Sequence, residues 1–380
     1  MAHGVGGSPT GSPVRLPGAA RDVPGTHLAA PTAGISPRSK PTTSGPPRYQ
    51  GLWAARRWAP TPGRAPPLSL PVGAHLDPLT ILGHLACGRA AELYQVWSTD
   101  HWCATTAKIA AASAGAAVPA SFVREAEALA GVAHPNVVRF FGAGRVEGRA
   151  YLLLEYLAGP SLVELLDSLP RRRLHVPDAL RAAMHVGAAV HALHRAGLLY
   201  RDLKPGNILL RDSVPALVDF DAVWPRDAGP PSDRLGTAPY MAPEQIRDEP
   251  LTPTTDVYGL GAVLFELLTG RWSTEEPTEL DDDAGLLAED RFLKAGTGDH
   301  VDAASTYPQL VRDPVPLRAH NPRISREVEA VVLRALARDP RARFQSVSGF
   351  LAALAPYLLG IHRLWPEGTV VERRRDAASR

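Results

Sequence analysis

The spacing of apolar residues becomes regular near residue 75. Between 76 and 110, short apolar runs separated by glycine or polar turns predict three antiparallel strands. Further apolar runs at 137–146 and 149–157 extend this sheet. Helical spacing and an Ala/Glu-rich composition predict one helix over 119–133. These elements form a small sheet-rich lobe with one main helix.

The second half of the chain has mainly helical spacing. Apolar residues three or four positions apart over 177–197 predict an amphipathic helix, and 254–270 is apolar on every side, as in a buried helix. A third helix is predicted over 325–339, between a serine cap and a proline. The order predicts an α+β fold, with a sheet-rich lobe at 75–157 and a larger helical lobe at 158–357.

Composition separates this domain, 75–357, from two tails. Residues 1–74 are rich in Pro, Gly, Ser, Thr and Ala without apolar periodicity, which predicts a disordered tail. Within it, "YQGLWAARRWAP" (49–60) is either a partner-docking motif or a sticky patch with no partner. Residues 358–380 form a basic C-terminal tail.

Charge and cysteine content exclude several classes of protein. The 41 basic and 39 acidic residues give a net charge of +2, so no nucleic-acid partner is expected. Cys87 and Cys103 form no CxxC or Cys/His cluster, which argues against a disulfide scaffold or a zinc site. No leader pattern and no apolar run of about 18 residues occurs, so we expect a cytoplasmic protein without a membrane span.

Candidate chemistry begins in "LLYRDLKPGNILL" (198–210). Asp202, Lys204 and Asn207 lie on one predicted loop between the amphipathic helix and an apolar strand. A second aspartate, Asp219, ends the next apolar strand, and a hairpin of these strands presents all four groups together. Only four of the 41 basic residues are lysines, so a lysine between these polar groups is unusual for this chain.

Two further groups precede this loop in the sequence. Lys108 ends an apolar strand, and Glu125 lies early on the following helix. Together with the loop they supply a carboxylate base, metal-binding oxygens and ammonium groups. In-line phosphoryl transfer from a metal-bound nucleotide requires this set.

An ordered series of motifs supports the same chemistry. In chain order they are the Gly-rich turn around Gly88, Lys108, Glu125, "HPNVV" (134–138), "LLLEY" (152–156), "YRDLKPGN" (200–207), "DFD" (219–221), "GTAPYMAPE" (236–244), "DVYGLG" (256–261) and Arg343. Over about 78–353 the chain resembles the bacterial Ser/Thr protein kinases of the eukaryotic-like family. The resemblance implies a two-lobed protein kinase fold that uses ATP and Mg²⁺.

The resemblance also implies roles for the loop residues. Asp202 orients the substrate hydroxyl and accepts its proton, and Lys204 neutralises charge on the transferred phosphoryl group. Asn207 and Asp219 match the magnesium ligands, which are hard oxygen donors.

Nucleotide contacts are implied in the same way. Lys108 contacts the α- and β-phosphates, and Glu125 holds that lysine in place. The other nucleotide-binding positions are Leu85, Ala86, Cys87, Gly88, Arg89, Ala90, Ala91, Leu93, Glu155, Leu157 and Leu209.

Regulation is expected in the segment between Asp219 and Glu244. In the family, the arginine at Arg201 binds a phosphate on this segment. Ser232 is the candidate phosphosite, whereas Thr237 matches a structural threonine near the base. Alternatively, Asp233 supplies a permanent negative charge.

Structural roles follow for three more residues. The resemblance implies that Glu244 and Arg343 form a buried ion pair and that Asp256 accepts hydrogen bonds from the backbone of the catalytic loop.

Two departures from the family pattern bear on activity. Of the three loop glycines only Gly88 is present, since Ala86 and Ala91 replace the others. Asp221 stands where the metal-binding triplet normally ends in glycine. We expect activity to survive, because every proton-transfer, metal and phosphate group is retained.

Three functions are therefore compared. The first is a protein kinase that phosphorylates Ser/Thr hydroxyls of proteins, itself included. The second is a nucleotide-binding pseudokinase scaffold that acts through partner binding, for which the reduced glycine turn and Asp221 are the evidence. The third, a small-molecule kinase, is disfavoured by the intact "GTAPYMAPE" segment, which shapes a peptide platform in the family.

Overall fold

The computed structural model describes residues 69–358, apart from 89, 113–118, 230, 232–235 and 277–306. The predictions for residues 1–68 and 359–380, including the tail motif, lie outside the described residues. So do those for Arg89, Ser232 and Asp233.

The predicted sheet is present and consists of six antiparallel strands in the order β1-β2-β3-β4-β6-β5. The strands are β1 His75–Leu76, β2 Leu79–Cys87, β3 Ala91–Ser98, β4 Cys103–Ala110, β5 Phe140–Val146 and β6 Arg149–Glu155. The predicted helix is α1, Ala120–Gly131, and its buried face includes Phe122 and Glu125. The expected sheet lobe with one main helix is confirmed.

The second lobe is helical and contains two short pairs of strands. Its described helices are α2 Leu162–Asp167, α3 Val176–Arg195, α4 Pro243–Ile246, α5 Pro253–Thr269, α6 Leu317–His320, α7 Arg326–Ala335 and α8 Val347–Leu354. The strand pairs are β7 Leu198–Leu199 with β10 Trp224–Pro225, and β8 Ile208–Arg211 with β9 Val214–Leu217. The β8–β9 pair is the hairpin that the sequence predicts.

A threonine cap begins the buried helix α5, and a glycine close to a neighbouring backbone ends it. The hydroxyl oxygen of Thr252 accepts a hydrogen bond from the N–H of Thr254 at the start of the helix. Gly270 ends it with φ +78°, and a Cβ there would lie 2.3 Å from the Arg171 carbonyl oxygen. Only glycine fits this helix end.

One predicted boundary was wrong. Helix α7 begins at its Ser325 cap but ends at Ala335, before the predicted end at residue 339. Beyond this end, the guanidinium of Arg343 donates to the carbonyl oxygens of Ala337, at 2.7 Å, and Arg338, at 3.1 Å.

The apolar core extends through both lobes. One cluster of buried side chains runs from Phe122 and Leu152 of the sheet lobe to Leu264 and Phe350 of the helical lobe. Among the described residues, none of the helices has both the length and the apolar character needed to cross a membrane.

Candidate active site

The first part of the site is an ion pair between β4 and α1. Lys108 Nζ lies 2.8 Å from Glu125 Oε2, and both side chains are almost completely buried. Lys108 reaches this position because β4 is a central strand of the sheet. Glu125 reaches it because α1 turns that residue toward the sheet.

Two more carboxylates reach the same ammonium group. Lys108 Nζ lies 2.9 Å from Asp219 Oδ1 and 2.8 Å from Asp221 Oδ1. The backbone N–H of Phe220, between them, donates a 3.1 Å hydrogen bond to Glu125 Oε1. The segment that follows β9, in the helical lobe, is therefore bonded to Lys108 and Glu125 of the sheet lobe.

This arrangement shifts the acid–base properties of the cluster. Burial alone lowers the pKa of Lys108, but Asp219, Glu125 and Asp221 outweigh it and raise the pKa. Burial raises the pKa of Glu125, and Asp221 and Asp219 add to that shift against the opposing effect of Lys108. The pKa of Asp219 is lowered, because Lys108 outweighs the opposing effect of burial. Lys108 is thus cationic and Asp219 anionic.

The loop at 200–207, which is the catalytic loop implied by the family resemblance, presents the second part of the site. The Asn207 Nδ2 group donates to the Asp202 carbonyl oxygen at 3.0 Å and to Asp202 Oδ2 at 2.9 Å. Lys204 Nζ lies 2.9 Å from Asp202 Oδ2. The hydroxyl of Thr237 donates to Asp202 Oδ1 and accepts from Lys204 Nζ, both at 3.0 Å. Asp202 is thus held on both of its oxygens.

Helix α5 fixes the backbone of that loop. Asp256 accepts hydrogen bonds from the N–H groups of Tyr200, at 2.9 Å, and Arg201, at 2.8 Å. His194 Nε2 also lies 2.7 Å from Asp256 Oδ2. The predicted structural role of Asp256 is confirmed. It stabilises a loop in which Arg201 has φ +73°, a conformation that non-glycine residues rarely adopt.

Two side chains near the catalytic groups have the donor chemistry of magnesium ligands. Carboxylate oxygens of Glu125, Asp219 and Asp221 lie within 4.8 Å of one another, and the ammonium group of Lys108 bonds to all three carboxylates. Asn207 uses its Nδ2 group on Asp202, and its side-chain carbonyl oxygen is a hard donor. Hard oxygen ligands suit Mg²⁺, so the Asp219 carboxylate and the Asn207 carbonyl are the groups that would hold it.

The protein kinase domain family matches residues 79–352, more than half of the sequence. The chain belongs to the protein kinase family. The resemblance inferred from the motifs is confirmed.

The chain is similar to curated bacterial Ser/Thr kinases. It is 31% identical over 247 residues to the serine/threonine-protein kinase PknB of Mycobacterium tuberculosis strain H37Rv, covering 61% of this chain and 35% of that protein. It is 29% identical to PknJ of the same strain, covering 63% and 38%. The chain thus spans little more than a third of the length of these curated relatives.

A solved structure confirms the fold. The Mycobacterium tuberculosis PknI kinase domain aligns with a TM-score of 0.54 at 24% identity, covering 76% of this chain and 99% of that one. At this identity the similarity establishes the two-lobed fold alone.

The kinase's reduced glycine turn still forms a tight hairpin beside Lys108. Gly88 N–H donates to the Ala91 carbonyl oxygen at 2.8 Å, and Ala86 pairs with Leu93 across β2 and β3. Leu93 in turn pairs with Lys108 on β4. The turn positions named from the sequence, Leu85, Ala86, Cys87, Gly88, Ala90, Ala91 and Leu93, therefore lie on or at this hairpin.

The segment that joins the lobes has a feature that sequence reasoning missed. Glu155 ends β6, and its Oε1 accepts a 2.7 Å hydrogen bond from Arg211 Nε of β8. Its carboxylate is thus used in a bridge between lobes, and its backbone N–H donates to the Arg139 carbonyl oxygen at 2.9 Å. Leu157 is buried in the core, and Leu209 of β8 packs against that core.

The buried ion pair of the helical lobe is confirmed. Arg343 binds Glu244 through two bonds, Nη1 to Oε1 at 2.7 Å and Nη2 to Oε2 at 2.8 Å. Both side chains are at most 2% exposed.

Proposed function

We propose that this chain is a protein kinase that transfers the γ-phosphoryl group of Mg-ATP to Ser/Thr hydroxyls, including its own. One observation carries the proposal. Lys108 Nζ lies within 3 Å of a carboxylate oxygen of Glu125 and of Asp219, although the three residues come from β4, α1 and the segment after β9. Phosphoryl transfer depends on positioning and charge stabilisation, which such a cluster supplies.

Lys108 and its partners form the nucleotide-holding part. Lys108 is cationic and fixed by Glu125, so it is suited to bind the α- and β-phosphates. Asp219 and Asn207 are the residues that would hold Mg²⁺, which would supply positive charge to offset that of the phosphates.

Asp202 is the proposed base. Thr237 and Asn207 fix its two oxygens, so one rotamer of the carboxylate faces an incoming hydroxyl. Lys204, bonded to the same carboxylate, is placed to neutralise charge on the transferred group. The "PknB" and "PknJ" relatives named as serine/threonine kinases support hydroxyls of Ser/Thr as the acceptors.

The test is transfer of labelled γ-phosphate from ATP to the full chain and to a general protein acceptor, with Mg²⁺ or with a chelator. We expect transfer by the parent only with Mg²⁺. Asp219→Ala and Asp202→Asn should lose roughly 10²-fold or more of the rate. Asp212→Asn, at the exposed tip of the β8–β9 hairpin, is the matched control and should leave the rate unchanged.

A second candidate, the nucleotide-binding pseudokinase scaffold, is favoured by one observation. Asp221 occupies Lys108 at 2.8 Å, on the nitrogen that phosphates would contact. A parent that binds ATP but transfers no phosphate would support this candidate and contradict the first. Partner docking through the N-terminal tail and a cytoplasmic location remain predictions from the sequence.

A further inference from the structure

Trp224 lies three residues after the 219–221 triplet, and both its backbone and its indole ring are anchored. In the two-residue strand β10 it pairs with Leu199 of β7, directly before the catalytic loop. Its Nε1–H donates a 2.8 Å hydrogen bond to the Gly229 carbonyl oxygen. The half-buried indole is therefore held in one position beside the active site.

The indole contacts two guanidinium groups from different lobes. Its ring centroid lies 5.2 Å from Cζ of Arg124 and 5.8 Å from Cζ of Arg201. Both distances are within the range of cation–π attraction, for which Trp is the strongest aromatic partner. One ring thus links α1 to the catalytic loop.

The two arginines directly precede the carboxylates on which catalysis depends. Arg124 comes before Glu125 on α1, and Arg201 comes before Asp202. Since neighbouring residues on a helix have fixed relative directions, a contact that holds Arg124 also sets the rotation of α1 and the position of Glu125. The buried Nε of Arg124 has no hydrogen-bond partner among the described residues, so the ring is a major contact for this side chain.

We propose that Trp224 is a positioning residue that holds Arg124 and Arg201 together, so that phosphoryl transfer does not require a phosphate on the segment between Asp219 and Glu244. Two cations brought together repel each other; a phosphate between them would offset that repulsion, and the π face of the indole also offsets it. Arg201 Nη1 also donates to the Ala222 carbonyl oxygen at 3.1 Å. The inference rests on the proposed kinase function and specifies how its activity is controlled.

The experiment compares the full-length parent, before and after phosphatase treatment, with Trp224→Phe, Trp224→Leu and Arg124→Met. Trp102→Leu, which removes a tryptophan that is 76% exposed, is the matched control. Mass spectrometry establishes that the treated proteins carry no phosphate, and initial rates are recorded before autophosphorylation accumulates.

We expect phosphatase treatment to change the parent's kcat by less than about twofold. Loss of both cation–π contacts corresponds to about tenfold in kcat for Trp224→Leu, and loss of one contact to about threefold for Arg124→Met, with Trp224→Phe retaining most of the rate. The Arg124→Met and Trp224→Leu double variant should lose little more than Trp224→Leu alone, because Trp224→Leu already removes the contact with Arg124. Trp102→Leu should match the parent.

The inference is overturned if phosphatase treatment abolishes the rate and autophosphorylation restores it, or if Trp224→Leu keeps full kcat. Hydrogen exchange of α1 amides gives a readout independent of catalysis. Exchange should rise in Trp224→Leu and Arg124→Met but not in Trp224→Phe. If the parent transfers no phosphate at all, the kinase proposal fails while this exchange pattern still decides the role of Trp224. Unchanged α1 exchange in both Trp224→Leu and Arg124→Met contradicts it.

Discussion

At the scale of single residues, Lys108 bonds to three carboxylates, of which the family resemblance implies only Glu125 as its partner. The side chains of Asp221 and Asp219 are 34% and 40% exposed, whereas Glu125 is fully buried. Solvent screening therefore weakens the pairs with Asp221 and Asp219 relative to the pair with Glu125, and nucleotide phosphates can displace the Asp221 carboxylate at small cost.

Replacing Asp221 by glycine tests this reasoning. Asp221→Gly should keep phosphoryl transfer and bind ATP more tightly, because Lys108 no longer exchanges a carboxylate for a phosphate. A partly exposed pair is worth at most about 1 kcal/mol, which corresponds to about fivefold in Kd. Calorimetric titration with ATP, with and without Mg²⁺, measures the change, and Asp221→Asn separates charge from backbone freedom. An inactive parent restored by glycine would show that Asp221 blocks catalysis.

Thr237 provides a second test at this scale, because its hydroxyl bonds to both Asp202 and Lys204. Thr237→Val keeps the side-chain shape and removes both bonds, so we expect kcat to fall about tenfold or more with little change in the KM for ATP. Thr237→Ser should retain most of the rate. Equal rates for the valine and serine variants would exclude the positioning role.

At the scale of elements, the Glu244–Arg343 pair joins α4 to the segment after α7. Glu244→Gln leaves the Arg343 guanidinium buried with an uncompensated charge, and we expect it to lower the free energy of unfolding by roughly 3–5 kcal/mol. Denaturant unfolding measures the loss. The control is Arg341→Ala, which removes an exposed pair with Asp339 and should leave stability nearly unchanged. A loss for Glu244→Gln as small as the control's would contradict a buried role.

The elements that could be predicted from sequence are those whose pattern repeats over several turns or strands. Helices α3 and α5 and the β8–β9 hairpin follow from local spacing and caps. The end of α7 could not be predicted, because no glycine or proline between Ala335 and Asp339 marks it. The two-residue strands β7 and β10 are too short to leave a pattern.

The same distinction applies to the site. The convergence of Lys108, Glu125 and Asp219 could be predicted because each lies in a recognisable motif with fixed order. The contacts of Glu155 with Arg211 and of Trp224 with two arginines could not, because they depend on how the lobes meet and no local pattern encodes that meeting.

At the scale of the whole molecule, several contacts join the lobes beside the site. Arg211 of the helical lobe bonds to Glu155 and donates to the carbonyl oxygen of Val137 at 3.1 Å. The Phe220 N–H bonds to Glu125 on α1. These bonds hold the two halves of the active site at a fixed separation.

The boundary of the folded domain gives the last prediction. Leu70 lies before the predicted start at residue 75, yet it is 6% exposed and its N–H donates to Tyr94 Oη at 3.1 Å. The Ser69 hydroxyl lies between Glu92 and Arg149, 2.6 Å from an atom of each. We therefore expect a 69–358 fragment to be more stable than a 75–358 fragment, since burial of one leucine contributes about 1.5–3 kcal/mol.

Denaturant unfolding of both fragments measures that difference, and two variants of the longer fragment show where it arises. Leu70→Ala should reproduce most of the loss, because it removes the buried side chain and keeps the backbone bond to Tyr94. Val72→Ala, at a position that is 60% exposed, should leave stability unchanged. Fragments of equal stability would place the domain boundary at residue 75. The contacts of Ser69 and Leu70 would then contribute nothing to the free energy of unfolding. If the 75–358 fragment is less stable but Leu70→Ala is not, the lost stability belongs instead to the bonds of Ser69 with Glu92 and Arg149.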